Sequence, residues 1–158
     1  MKVLLSQKRL KQVISYDPES GDMTRIDNGR VAGTINGDGY RSVMVDGRLY
    51  QAHRLAWLYV HGSFPPDCID HINGIRTDNR IENLRPATKS QNTMNSKAPS
   101  TNSTGVKNVS RNRGGYLVGV KVGGRRVSKW FADLESASAC ADILRNRLHG
   151  EYACKARL

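Results

Sequence analysis

The chain has 158 residues, 38% of them apolar, which is enough for one ordinary domain or two to three small ones but not for a single large core. Twenty-five Lys and Arg stand against fourteen Asp and Glu, a formal net charge of +11 that suits a polyanionic partner and argues against a specialist in free small metabolites. No apolar run approaches the ~20 residues that span a bilayer, and Met1 to Lys11 holds too short an apolar patch for a signal peptide, so a cytosolic, non-membrane protein is expected.

Leu5 to Tyr16 places Leu10, Val13 and Ile14 on one face of a short basic helix, ended by the turn formers Asp17 to Asp22. Met23–Ile26, Val31–Ile35, Tyr40–Val45 and Leu49–Ala52 read as short strands separated by Asn28-Gly29, Gly37-Asp38-Gly39 and Asp46-Gly47, hence a small antiparallel sheet. His53 to His61 is a compact apolar helix closed by Gly62 and Pro65-Pro66. A segment rich in Asp, Asn and Gly follows, then a short helix over Thr88–Ser96. Ser96 to Ser103, rich in Ser, Asn and Pro and without an apolar period, has the chemistry of a linker. Beyond it, strands are predicted over Val106–Ser110, Tyr116–Val122 and Arg125–Phe131, with turns at Gly114-Gly115 and Gly123-Gly124. Leu134 to His149 sets Ala137, Ala141, Leu144 and Leu148 on one helical stripe, with Gly150 available as a cap.

Charge is divided unevenly. Residues 1–95 carry thirteen basic and ten acidic side chains, net +3, whereas residues 96–158 carry twelve and four, net +8. Cys68, Cys140 and Cys154 are odd in number and far apart, which indicates neither a disulfide framework nor a cysteine zinc knuckle.

The chemistry is densest between Cys68 and Asn95, where Asp70 and His71 are adjacent and Asn83 and Asn92 follow at longer spacing. Phosphodiester hydrolysis needs a base that works near neutral pH and a cation to stabilise the anionic transition state. Asp70 and Asn92 offer the hard oxygens that suit Mg²⁺ or Mn²⁺. If Asp70 and His71 lie on one strand they point to opposite faces, which turns His71 toward a water and away from the cation. Asn73, Asp78, Asn79 and Asn95 read as hydrogen-bonding loop residues. His53 reads either as a partner behind the site or as a helix-start histidine packed on Trp57, and His61 and His149 as helix-end cations.

Asp70-His71-Ile-Asn-Gly, then Asp78-Asn79-Arg-Ile-Glu-Asn83-Leu-Arg, then Gln91-Asn92, with the upstream Ala52-His53-Arg54-Leu55-Ala56-Trp57, resembles the HNH endonucleases of the phage and homing type, with their ββα-metal fold. The resemblance implies that Asp70 and Asn92 bind one divalent cation, Mg²⁺ or Mn²⁺. It implies that His71 is the general base and that Asn83 braces the loop and helps position it. The third motif residue is Asn92 where many members carry histidine, a departure that bears on metal preference.

The last module, with Gly105-Val106, Tyr116 to Val122, Phe131 to Ala139 and His149 to Ala153, resembles the DNA-binding domain of plant ethylene-response factors, whose sheet lies in the major groove. Strand alternation turns Val118, Val120 and Val122 one way and Leu117, Gly119 and Lys121 the other, and sets Arg126, Ser128 and Trp130 against Arg125, Val127, Lys129 and Phe131. Arg111, Arg113, Lys121, Arg126 and Trp130 are the expected DNA contacts.

The expected architecture is therefore α+β. It comprises an N-terminal helix and antiparallel sheet that grips DNA (1–65), a ββα-metal core (66–96), a linker (97–103), and a three-stranded sheet packed on one helix (104–158). The expected function is metal-dependent cleavage of double-stranded DNA, as a nick or a double-strand cut, by a monomer or homodimer in the cytoplasm, a host's if the chain is phage-encoded. The competing reading is a non-catalytic, sequence-specific DNA-binding regulator. A single-strand RNA binder ranks third, because aromatic residues make up only 6% of the chain.

Overall fold

Ser6 opens the first helix: its hydroxyl accepts from the Arg9 amide in a side-chain N-cap, and α1 runs over Gln7–Val13. The sequence predicts helix as far as Tyr16, but Ile14–Tyr16 is strand β1, paired antiparallel with β2 (Met23–Arg25). Ile14 and Tyr16 are both buried with Ser15 exposed between them, so a period-two burial pattern takes over where the helical stripe ends. The computed structural model describes residues 4–153; Cys154 lies outside the described residues. Cys68 and Cys140 are free thiols.

A meander follows, β3 (Thr34–Ile35), β4 (Arg41–Val45) and β5 (Arg48–Gln51), in that spatial order. It leads directly into α2 (Ala52–His61). Val43 and Val45 point inward from β4 onto Leu55 and Leu58 of α2, and Leu10, Ile14 and Met23 complete this core. Burying each such Leu, Ile or Met contributes roughly 1.5–3 kcal/mol, which is how so small a sheet is held. Strands β6 (Cys68–His71) and β7 (Leu84–Ala87) form a separate antiparallel hairpin, docked on the core through Ile69 and Leu84.

The chain divides into two compact units, Met1–Lys89 and Ser90–Leu158. The division falls at the start of α3 (Lys89–Asn95). In the second unit the Lys107 ammonium donates to the Thr93, Met94 and Ser96 carbonyls and so caps the C-terminal end of α3. Strands β8 (Val109–Asn112), β9 (Gly115–Val122) and β10 (Arg125–Phe131) form a three-stranded antiparallel sheet with β9 in the centre. Helix α4 (Leu134–His149), N-capped by Asp133, covers one face of it. Val109, Val118, Val120, Ala137 and Ala141 are the buried core, with Leu144 and Leu148 packed at its margin. The α+β architecture, with its small N-terminal sheet, its hairpin followed by a short helix, and its C-terminal sheet on one long helix, is the expected one. Among the described residues no helix is long and apolar enough to cross a membrane.

His149 differs from expectation. It is buried at the end of α4, its Nε2 facing the Lys121 carbonyl at 3.3 Å, and loss of solvation pushes its pKa below the ordinary histidine value. It is a neutral core residue and not a helix-end cation.

Candidate active site and nucleic-acid interface

The β6–β7 hairpin sets Asp70 directly opposite Arg85 and His71 opposite Leu84. Asp70 is 3% exposed, and the Arg85 Nε and Nη2 both donate to its Oδ2, at 2.9 and 2.7 Å. A buried carboxylate carries a large desolvation cost unless a cation and hydrogen bonds compensate it, and Arg85 supplies both. Nothing in the sequence pattern singles out Arg85; only the register of the hairpin reveals it.

His71, 5% exposed, is packed between aromatic rings, edge-on to His53 at 5.1 Å between centroids and tilted against Tyr40 at 6.0 Å. Its Nε2 lies 3.2 Å from the Asn79 Oδ1. Burial holds its pKa below the ordinary value, opposed by the bond to Asn79 and the charge of Asp70. His53 lies against Tyr40 at 5.3 Å, and burial, with the charges of His71 and Arg54 added, pushes it down to about 3. Of the two roles open to His53, the place beside His71 is the one found; the ring on Trp57 is that of His61, at 3.9 Å.

The loop between the hairpin strands is held by side-chain amides. Asn83 accepts from the Asn73 amide at 3.0 Å and donates to the Asn73 Oδ1 and the Asp78 carbonyl at 3.1 and 2.8 Å. Asp78 receives the Arg80 guanidinium on both oxygens and the Asn73 amide, and the Arg80 bonds lead in drawing its pKa down to about 2. Asn83 therefore staples the loop, whereas the amide that meets the His71 ring belongs to Asn79, which the sequence leaves among ordinary turn residues.

Residues 50–94 match the family model described as HNH endonuclease. The phage T7 protein named Protein 3.8, from an Escherichia phage, is 31% identical over 104 residues, spanning 64% of this chain and 86% of the relative. The chain belongs to the HNH endonuclease family. A second relative, the uncharacterized HNH endonuclease L560 of Acanthamoeba polyphaga mimivirus, is 35% identical over 105 residues, covering 65% of this chain but only 55% of that one. A solved structure of DNA binding and cleavage by the HNH homing endonuclease I-HmuI covers 51% of this chain and 49% of its own, at 25% identity and a TM-score of 0.43.

Asp70, His71, Asn79, Asn83, Arg85 and Asn92 all lie inside the HNH match, and the second unit lies almost wholly outside it. Asn92 is half-buried on α3. Among the described residues no group of three or more His, Cys, Asp or Glu is placed to hold a metal ion. The donor chemistry of the HNH stretch fits a hard cation all the same. Mg²⁺ typically takes one or two protein oxygens and fills its shell with water and phosphate, and the stretch offers the Asp70 carboxylate and the side-chain amide oxygen of Asn92 among its oxygens.

The sheet of the second unit runs without a bulge from Arg125↔Val122 to Phe131↔Tyr116. Val118 and Val120 face the helix; Lys121, Arg126, Leu117 and Trp130 share the opposite face by register. Two glycines of β9 make room there. A Cβ at Gly119 would collide with the Arg126 guanidinium, and one at Gly115 would lie 2.5 Å from the Trp130 ring, so both side chains lie flat on the sheet. The Trp130 Nε1 donates to the Asn112 carbonyl at 3.1 Å, which leaves the indole to offer its apolar ring outward. Arg111 pairs with Tyr116 on the core-bearing face, its guanidinium 5.6 Å from that ring's centroid, and Arg113 sits in the β8–β9 turn with φ +46°.

Proposed function

We propose that the chain is a metal-dependent DNA endonuclease that hydrolyses phosphodiester bonds in double-stranded DNA, with His71 as general base and residues 66–96 as its catalytic stretch. The observation that carries the reading is the buried Asp70–His71 pair on β6, within the HNH match, with a histidine that burial keeps in its neutral, proton-accepting form at neutral pH. Asp70 and Asn92 are the proposed ligands of Mg²⁺ or Mn²⁺. When bound, such a cation stabilises negative charge on the phosphate and on the departing oxygen. His71 takes a proton from the attacking water as its oxygen bonds to phosphorus, and the bond from phosphorus to the 3′ oxygen breaks. That oxygen gains a proton from solvent, leaving a 3′-hydroxyl and a 5′-phosphate, as in the family. Asn83 keeps the intervening loop in place through its bonds to Asn73 and Asp78.

The second unit is proposed as an ethylene-response-factor-like DNA-binding module. Lys121 and Arg126 supply cations to the backbone or base edges, and Trp130 an apolar face. Arg113 at the turn extends the contact, and Arg111, on the core-bearing face at the sheet end, is proposed to reach DNA from the side. The protein is proposed to act in the cytoplasm, a host cell's if phage-encoded.

Supercoiled plasmid incubated with the full chain and Mg²⁺ or Mn²⁺ tests the reading. The wild type should yield open-circle or linear DNA. His71→Ala should slow this by ~10² to 10⁴-fold with DNA binding retained, because a base acts in the transition state. Near wild-type nicking by His71→Ala would remove His71 from the mechanism. A wild type that binds DNA but never cuts it would favour the regulator instead.

A further inference from the structure

Asn79 is 1% exposed and its amide is committed at both ends: Nδ2 donates to the Thr77 carbonyl at 3.3 Å, and Oδ1 faces the His71 Nε2 at 3.2 Å. The reverse amide orientation would set two oxygen acceptors, Oδ1 and the Thr77 carbonyl, against each other in a dry site, so the network assigns the oxygen to the histidine. An amide oxygen only accepts, and the ring nitrogen that meets it must carry the hydrogen. The other ring nitrogen of a neutral imidazole then holds the lone pair.

The Asn79 backbone is anchored as firmly as its side chain. The Tyr16 hydroxyl donates to the Asn79 carbonyl at 2.7 Å. Gly21, at φ +78°, lies so close beneath that a Cβ there would stand 2.7 Å from the Asn79 carbonyl carbon and 2.5 Å from the Arg80 nitrogen. The β1–β2 hairpin therefore fixes the Asn79 backbone through Tyr16 and Gly21.

We propose that Asn79 is a positioning residue that sets the tautomer of His71, with hydrogen on Nε2 and the lone pair on Nδ1. The proposal rests on the nuclease reading for its consequence in catalysis, but the tautomer is a property of the protein alone. Asn83, three residues from the Arg80 end of the same loop, braces the loop; Asn79 aims the base.

The test is two-dimensional ¹⁵N–¹H spectroscopy of the histidine rings in the full chain at a pH where His71 is neutral, assigned by comparison with His71→Ala. The wild type should show His71 protonated on Nε2. Asn79→Leu, which fills the space without an acceptor, should give a tautomer mixture or the reverse form. In plasmid cleavage Asn79→Leu should lower kcat by about 10- to 100-fold, as loss of a partner behind a functional group does, with KM little changed. A wild-type ring protonated on Nδ1, or an Nε2–H ring that persists in Asn79→Leu, overturns the proposal. Near wild-type cutting by His71→Ala removes His71 from the mechanism while leaving the tautomer result intact. Should Asn79→Leu not fold, the wild-type spectrum decides the matter.

Discussion

Among the described residues no carboxylate compensates the buried His53, and acid should therefore unfold the first unit through it. Its folded pKa is about 3 against an ordinary value of 6.5, with burial the leading cause. A folded pKa depressed below the unfolded one means that the unfolded chain binds the extra proton. The stability it contributes is present above pH ~6.5 and is lost as pH falls toward ~3. Between about pH 8 and about pH 5 the loss from this one group is ~2 kcal/mol, a figure set by the unfolded pKa and insensitive to how deep the depression runs. The assay is urea unfolding of the full chain in a Trp130→Phe background, which leaves Trp57, packed on the first core, as the reporter of that unit. Midpoints are read within each pH, so a change of the Trp57 signal with pH does not enter the comparison. His53→Phe shifts the absolute stability through packing, but it should also flatten the pH dependence by ~2 kcal/mol over the same interval. His71 is present in both proteins, and only its coupling to His53, 5.1 Å away between ring centroids, differs between them. Equal pH dependence in the two would refute the reasoning.

Asp70→Ala and Asn92→Ala should each raise the Mn²⁺ or Mg²⁺ concentration for half-maximal cleavage by at least ~10-fold, with Asp70 the larger because it carries charge. A metal titration of cleavage, cross-checked by calorimetry of Mn²⁺ binding, reads this, and two unchanged titrations would move the ligands elsewhere. Lys121→Ala and Arg126→Ala should each reduce the slope of log affinity against log salt by about 0.9 if each side chain meets one phosphate, while Trp130→Phe leaves the slope alone. An unchanged slope in the double variant would mean that the open face of the C-terminal sheet does not touch DNA.

How far the sequence foretold these features depends on the range of the interaction behind each. The β9–β10 hairpin was readable because Gly123-Gly124 fixes a tight turn, and a tight turn fixes register; the faces of Lys121, Arg126 and Trp130 followed from counting by two. The stripe of α4 was readable for the same local reason, with a period of 3.6. By contrast Ile14–Tyr16 satisfies a helical and a strand period at once, and only pairing with Met23–Arg25 decides between them. Arg85 is visible only once a long loop has been closed at a particular register, because it is the closing residue of the Asp70 pair.

Asn79 and Asn83 differ in the same way. Both sit in a stretch where asparagine is the ordinary turn former, and local chemistry cannot tell which amide will be drawn to the histidine. The distinction arises in three dimensions. Asn83 is enclosed by its own loop, through Asn73 and Asp78, whereas Asn79 is reached from outside the loop by Tyr16 and pressed by Gly21, residues more than fifty positions upstream. The N-terminal hairpin is therefore part of the machinery that aims His71, although it carries none of the residues by which the family is recognised.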